Sequence, residues 1–213
     1  MKPFDLITEA DARTIEPGAT VTLAPGGHVT PLARDTLRAR RITVISAGSF
    51  DATLPPDLAP VAEIRRVAIG TDHTGLALKA DLVKRLRGRG LAVEDVGTDT
   101  KDAVDYPDIA AAVAQRVARG EADAGIVIDG AGLGSAIAAN KVRGIRAVMA
   151  TNPTLARYGR EHNGANVLTL GSSLVAGDEA REIVDTFLTT PMREPRYIRR
   201  LLKIRALERS ADR

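Results

Sequence analysis

Val127–Lys141, which reads VIDGAGLGSAIAANK, decides the fold because it joins a strand to a helix through a glycine-rich loop. Apolar residues lead to Asp129, glycine stands at every second position from Gly130 to Gly134, and an alanine-rich segment follows. Glycine tolerates positive φ, and the first turn of a helix carries unpaired N–H groups with a partial positive charge. The stretch therefore predicts a buried strand, a loop whose amides can surround an anion, and a helix.

Two common nucleotide-binding patterns are absent from this loop. The glycines at 130, 132 and 134 do not fit G-x-G-x-x-G, and no suitable acidic residue for a ribose follows about 20 positions on. The loop also lacks the Gly-Lys-Ser/Thr that ends a Walker phosphate loop. A dinucleotide cofactor is therefore excluded, and we expect no cofactor.

Strand and helix patterns alternate from residue 65 onward. Strands are predicted over 67–70, 92–96, 124–128, 146–150 and 167–170, and helices over 75–89, 106–118, 135–141, 153–162, 176–188 and 197–209. Repeated βα units imply a parallel sheet covered by helices on both faces, with ligands at the carboxyl ends of the strands. We expect all the chemically suggestive residues to lie at those ends.

Residues 1–48 are predicted to form a small α/β module of their own. Helices over 9–13 and 31–40 begin at Thr8 and Thr30, strands cover 20–23 and 42–45, and Pro25–Gly27 is read as a turn. Residues 49–64 contain three prolines and no periodicity, which indicates an extended linker or, alternatively, an irregular arm on the main domain. The main domain is then 65–213.

Composition excludes several classes of protein. The 213 residues contain no cysteine, so disulfides, thiolate catalysis and cysteine-bound zinc are excluded, and three scattered histidines do not suggest a metal site. A net charge of +3 with no Trp and few other aromatics does not favour a nucleic-acid partner. No apolar run approaches a membrane span, and no signal peptide is recognised, so we expect a cytoplasmic protein with no membrane partner.

Five motifs occur in the order found in one enzyme family. They are GTDHTG at 70–75, DYP at 105–107, the glycine loop with AANK at 138–141, GIRA at 144–147 and EHNGANVL at 161–168. From about residue 65 to 209 the chain resembles the ribose-5-phosphate isomerase B family, which includes the galactose-6-phosphate isomerase subunits. The resemblance implies a Rossmann-like three-layer α/β sandwich, a homodimer or higher homo-oligomer with interfacial sites, and cofactor-free interconversion of a phosphorylated aldose and ketose.

The resemblance also implies roles in the enediol(ate) chemistry that this isomerisation requires. His162 opens the sugar ring, and Asp72 holds the ring oxygen or a hydroxyl. Sugar hydroxyls are oriented by Asn163 and Tyr106. The remaining implied groups are the oxyanion-binding amides of Gly130, Ala131, Gly132, Leu133 and Gly134, and the phosphate ligands His73, Arg196 and Arg200, the two arginines coming from the partner subunit.

Structural roles compete with several of these assignments. Asp72 or His162 could cap a helix, His73 could begin one, Tyr106 could be a packing residue, and the arginines near residue 200 could form a solvated face. These alternatives stay open at the level of the sequence.

Departures from the family pattern fall around the glycine loop. Many members carry a catalytic cysteine where this chain has Asp129, and we predict that Asp129 is the base. Another branch has a glutamate at the position of Ser135. Ala131 replaces a frequent threonine and Ser173 a frequent arginine, which points to a shifted substrate or to a sensor or scaffold that binds sugar phosphate without turnover.

The N-terminal module carries a second resemblance. Residues 6–10 and 30–35 are similar to a segment at the front of some bacterial microcompartment enzymes, such as the ethanolamine-pathway cobalamin adenosyltransferase. The similarity implies that residues 1–48 recruit the enzyme to a compartment shell or to a partner enzyme.

Overall fold

The computed structural model describes residues 3–46, 63–192 and 195–210. The chain divides into two compact units, Met1–Leu54 and Pro55–Arg213. The predicted linker lies outside the described residues except for Glu63 and Ile64, and Ile64 is buried in the core of the second unit.

The first unit is a three-stranded parallel sheet with two helices. Its elements are β1 (Phe4–Ile7), α1 (Glu9–Thr14), β2 (Thr20–Val29), α2 (Pro31–Ala39) and β3 (Thr43–Ser46), in the strand order β1-β2-β3. Thr8 and Thr30 accept hydrogen bonds from the first turns of α1 and α2, as their positions predict. Apolar side chains such as Ile7, Val21 and Leu37 form a small core between the helices and the sheet.

The predicted turn at Pro25–Gly27 is wrong, because β2 continues through these residues. Phe4 pairs with Leu23 and Leu6 with His28, so two steps along β1 correspond to five along β2. The extra residues form an irregular bulge, which accommodates a proline without a break in the strand. A side chain at Gly27 would place its Cβ 2.9 Å from the Phe4 carbonyl oxygen, so this bulge requires glycine.

The second unit is a five-stranded parallel sheet between two helical layers. Its strands are β4 (Arg66–Thr71), β5 (Ala92–Asp95), β6 (Ala124–Asp129), β7 (Ala147–Met149) and β8 (Val167–Gly171), in the order β5-β4-β6-β8-β7. Its helices are α3 (Leu76–Gly88), α4 (Tyr106–Ala118), α5 (Leu133–Ala139), α6 (Pro153–Asn163), α7 (Gly177–Thr189) and α8 (Pro195–Ser210). This arrangement confirms the predicted Rossmann-like α/β fold.

Two apolar clusters cover the opposite faces of this sheet. One cluster packs side chains of α3, α6 and α7 against the sheet, and the other packs α4 and α5. The central strand β6 is buried along its whole length, as expected for a parallel strand with helices on both sides. Helix α8 packs against α6 through the buried Leu201. Within the described ranges, no helix is both long and apolar enough to span a membrane.

Candidate active site

The carboxyl ends of three central strands are tied together at one edge of the sheet. The Asp72 amide, just after β4, donates to the Ile128 carbonyl at 3.3 Å, and the Ser172 amide, just after β8, donates to the Asp129 carbonyl at 2.7 Å. Asp72, Asp129 and Ser172 therefore lie on adjacent strand ends, where parallel sheets place their ligands.

The Asp129 carboxylate is buried and turned into the glycine loop. Its Oδ1 accepts hydrogen bonds from the amides of Ala131, at 2.8 Å, and Gly132. Its Oδ2 accepts from the Ser135 amide, at 3.1 Å, and from the Ser135 hydroxyl. A carboxylate offers about four acceptor positions, and two donors from the loop and two from the first turn of α5 occupy them.

This arrangement corrects the prediction of a five-amide oxyanion nest. The Ala131 and Gly132 amides already bind the protein's own carboxylate. Leu133 and Gly134 begin α5, so their amides lack an acceptor within the helix. The loop therefore has fewer amides for a ligand than its sequence suggests.

The three loop glycines differ in what lies beside them. A Cβ at Gly132, whose φ is +77°, would lie 2.9 Å from the Leu170 carbonyl carbon, and a Cβ at Gly134 would lie 2.5 Å from the Tyr106 ring. At Gly130 the nearest atom would be the Thr74 Oγ1 at 4.0 Å. The loop is therefore closely packed at Gly132 and Gly134, and it leaves space for a ligand at Gly130.

Asp72 closes the turn that leads into α3. It is 6% exposed, and its Oδ1 accepts from the Thr74 amide at 2.8 Å and from the Thr74 hydroxyl at 2.5 Å. The N-cap of α3 is Gly75, and no side chain caps the helix, so Asp72 does not cap it directly. The turn fixes the carboxylate at the sheet edge, next to the space beside Gly130.

The loop after β5 positions His73 and Tyr106. The Val104 amide donates to the His73 Nδ1 over a long 3.5 Å. Tyr106 is the first residue of α4, and its ring lies on the glycine loop at Gly134. Both residues therefore join Asp72 and Asp129 at one edge, and we call these four residues the carboxyl-edge cluster.

Lys79 of α3 anchors the beginning of the same loop. Its ammonium group, 4% exposed, contacts Asp95 at 2.8 Å, Asp99 at 2.6 Å and the Thr98 carbonyl at 2.8 Å. Burial opposes the charge, but the hydrogen bonds to the two aspartates outweigh it and raise the pKa of Lys79. This lysine was not predicted as a site residue.

His162 and Asn163 lie at the opposite edge of the sheet, so the prediction of one common edge is wrong for them. They end α6, and the next segment leads into β8 from its amino end, where the Gly125 amide donates to the Asn166 carbonyl at 2.9 Å. Six-residue β6 separates this edge from Asp129 by roughly 17 Å at about 3.3 Å per residue. One chain does not bring His162 and Asp129 together.

A second cluster forms around His162. The His162 ring stacks on Tyr158 and packs against Tyr197 at a tilt of 33°, with 4.7 Å between ring centroids on each side. The Arg200 guanidinium lies 5.7 Å from the Tyr197 ring centroid, and the Asn163 amide group donates to the Tyr158 carbonyl at 3.0 Å. We call His162, Asn163 and Arg200 the amino-edge cluster. Arg196 belongs to the same turn of α8.

Comparison with known proteins shows where this architecture belongs. The family described as Ribose/Galactose Isomerase matches residues 67–204. This chain belongs to that family. Ribose-5-phosphate isomerase B of Escherichia coli (strain K12) is 43% identical over 145 residues, which are 68% of this chain and 97% of the relative.

Solved structures of family members are similar to this chain over about two thirds of its length. Ribose-5-phosphate isomerase B of Clostridium thermocellum has a TM-score of 0.68 at 47% identity and covers 68% of this chain and 99% of its own. The Mycoplasma genitalium enzyme, solved with bound ribulose-5-phosphate, has a TM-score of 0.65 at 40% identity, with 68% and 96% covered. These matches confirm the predicted family and the prediction of an aldose–ketose isomerase of sugar phosphates.

Several polar residues of this isomerase were not predicted as site residues. Ser135 supplies two of the four donors to Asp129, while Thr74 and Ser172 line the carboxyl edge. Thr74 stands two residues after Asp72 and just before a helix, a pattern that signals an Asx turn and could have identified it. In the part of the chain that the structure describes, no group of three or more His, Asp or Glu side chains is placed to hold a metal ion.

Proposed function

We propose that this isomerase interconverts a phosphorylated aldose and its ketose through an enediol(ate), with ribose 5-phosphate and ribulose 5-phosphate as the first pair to test. The observation that carries the proposal is the placement of Asp72 and Asp129 on adjacent strand ends beside the space at Gly130. Membership of the isomerase family and the ribulose-5-phosphate bound to the Mycoplasma genitalium relative support the choice of substrate.

Asp129 moves the proton between C2 and C1 in this proposal. One of its four donors has to release the carboxylate before an oxygen can accept a proton from carbon. The Ser135 hydroxyl is the donor suited to this change, because it rotates about its Cβ–Oγ bond while the loop amides are fixed. The Leu133 and Gly134 amides then stabilise the developing oxyanion, and Asp72 holds a sugar oxygen.

A second copy of the chain completes the site. His162, the ring-opening residue, and Asn163, which orients sugar hydroxyls, lie with Arg200 at the far edge from Asp129. A two-fold dimer presents the amino-edge cluster of each protomer to the carboxyl-edge cluster of the other, because its interface uses the same surface twice. Exposed apolar side chains on α5 and α6, including Leu133, Ile137 and Leu155, support such an interface.

One observation favours a second candidate, a sugar-phosphate sensor or scaffold. With all four acceptor positions of Asp129 occupied by donors from the loop and α5, the carboxylate serves as a structural cap for the loop. Such a protein binds the sugar phosphate at the same edge and does not move a proton.

Proton exchange with solvent separates the two candidates. The wild type, incubated with ribose 5-phosphate in D₂O, should form ribulose 5-phosphate and incorporate deuterium at C1 or C2, observed by NMR. Asp129→Asn should abolish both, whereas Asp108→Asn, an exposed aspartate of α4, should leave them unchanged. A wild type that binds the sugar phosphate without exchange supports the sensor, and exchange that survives in Asp129→Asn rules out Asp129 as the base.

The cytoplasmic location and the microcompartment association of residues 1–48 stay predictions. The microcompartment association rests on the N-terminal resemblance and on the division of the chain into two compact units. A chain without residues 1–60 should keep its turnover and lose co-localisation with the compartment in a host that forms one. Loss of turnover instead indicates a structural role for this segment.

A further inference from the structure

The space beside Gly130 has two hydroxyl groups at its border. The Thr74 Oγ1 is the nearest atom to a Cβ built on Gly130, at 4.0 Å, and the Ser172 hydroxyl lies 3.5 Å from it. Thr74 is exposed and Ser172 is partly exposed, so both are accessible to a ligand at this edge.

Main-chain hydrogen bonds fix Thr74 and Ser172, which carry these hydroxyls, relative to Asp72 and Asp129. The Thr74 amide and hydroxyl donate to the Asp72 Oδ1, and the Ser172 amide donates to the Asp129 carbonyl. The Thr74 hydroxyl gives its single proton to Asp72 and accepts a long 3.5 Å hydrogen bond from the Ser172 hydroxyl, which a closer donor on a ligand can replace. The Ser172 hydroxyl can act as donor or acceptor because it rotates. The pair therefore presents complementary partners for a hydroxyl group.

A cavity of about 400 Å³ continues from this hydroxyl pair between α3 and α7. Its lining includes Thr74, Gly75, Leu78, Ser172, Val175 and Arg181. The volume falls within the range of small-molecule sites. It adjoins Asp72 through Thr74 and Asp129 through Ser172, so it extends the carboxyl edge.

The charges in this cavity favour a neutral polar group over a phosphate. Arg181, its cation, donates to Asp81 at 2.8 Å and also pairs with Asp178. Two carboxylates thus face one guanidinium, and an additional dianion would be repelled. Neutral hydroxyl and methylene groups of a sugar suit the lining of hydroxyls, Leu78 and Val175.

We infer that Thr74 and Ser172 are specificity-determining residues that bind a hydroxyl of the sugar chain in the space beside Gly130. The inference rests on the proposed isomerase function, and it specifies which part of the substrate this edge recognises. The phosphate then binds elsewhere, and the carbon chain points toward the cavity between α3 and α7.

Deoxy analogues test this pairing directly. We compare kcat/KM for ribose 5-phosphate with kcat/KM for its 3-deoxy and 4-deoxy analogues, in the wild type and in Thr74→Val and Ser172→Ala. The 4-deoxy analogue cannot close the furanose ring, so for this sugar the change of the ratio between wild type and variants reports recognition. In the wild type, one analogue should lose about tenfold in kcat/KM because its missing hydroxyl leaves the pair with only the long bond between Ser172 and Thr74. In Ser172→Ala the same loss should shrink to threefold or less, since the enzyme group is already absent.

The design separates recognition from a general disturbance of the site. Thr74→Val also removes a bond to Asp72, which lowers kcat/KM for all three sugars together, whereas recognition changes their ratio. Thr189→Ala, which removes an exposed hydroxyl at the far end of α7, should keep the wild-type ratios. Equal ratios in the wild type and both variants would overturn the inference alone. Absence of turnover by the wild type with every phosphorylated aldose would overturn the proposed function and this inference together.

Discussion

The contact between Tyr106 and the glycine loop makes Gly134→Ala a sharp perturbation. The added methyl group would lie 2.5 Å from the Tyr106 Cζ and 2.7 Å from its hydroxyl oxygen, whereas carbon atoms in contact lie about 3.5–4.0 Å apart. The ring therefore has to retreat by about 1 Å. Tyr106 is 40% exposed, so it can swing toward solvent rather than distort the backbone.

The expected sign of the effect depends on Tyr106. Overpacking costs about 1–3 kcal/mol, and the helix preference of alanine over glycine in α5 returns about 0.5–1 kcal/mol. Gly134→Ala alone should therefore lower the free energy of unfolding by roughly 0.5–2 kcal/mol, and the displaced ring should raise KM several-fold. In a Tyr106→Ala background the clash disappears, and the same substitution should stabilise by about 0.5–1 kcal/mol.

Urea denaturation of the four proteins of this double-mutant cycle gives the coupling energy between positions 106 and 134. We expect about 1–3 kcal/mol. If Gly134→Ala stabilises equally in both backgrounds, Tyr106 does not lie on the loop, and the assignment of Tyr106 to the carboxyl-edge cluster is wrong.

Two further substitutions test how the edges are held. Lys79→Met should lower the free energy of unfolding by about 1–3 kcal/mol, since it removes charged hydrogen bonds to Asp95 and Asp99. Because the folded pKa of Lys79 is raised, its contribution is complete below the ordinary lysine value of 10.5 and is lost as the pH rises through the folded value, as urea titrations at several pH values should show. Asp123 accepts bonds from the Arg66 side chain and amide, and these outweigh burial and lower its pKa. Asp123→Asn should therefore destabilise the protein above pH 3.8, and the difference from the wild type should vanish as the pH falls through the lower folded pKa. Equal stability of the two proteins above pH 3.8 would show that another residue provides the stabilisation.

Much of the second unit could be predicted because local pattern and tertiary structure agree. Helix α4 has the predicted bounds, β6 and β8 extend one residue beyond the predicted carboxyl ends, and β4 extends one residue beyond the prediction at each end. Buried parallel strands read as continuous apolar runs, and the intervening helices carry clear start and stop signals. In the first unit, Pro25–Gly27 has the composition of a turn, and the pairing of the flanking residues Leu23 and His28 with β1 keeps it within a strand.

The candidate site was less accessible to sequence reasoning. The motif with His162 and Asn163 indicates sugar chemistry, but it stands before a strand, and the start of a parallel strand lies at the amino edge. The order of the elements therefore indicates that these two residues lie at the opposite edge of the sheet from Asp129. The four donors to Asp129 depend on how the loop curls around the carboxylate, which spacing along the chain does not specify.

Subunit complementation is the most direct test of the central claim that Asp129 of one chain and His162 of another act in one site. Asp129→Asn and His162→Ala should each be inactive as homodimers. After denaturation and joint refolding at equal concentrations, half of the dimers are mixed, and each mixed dimer has one intact site, so activity should return to about a quarter of the wild-type value. A mixture that stays as inactive as its components would contradict a shared site.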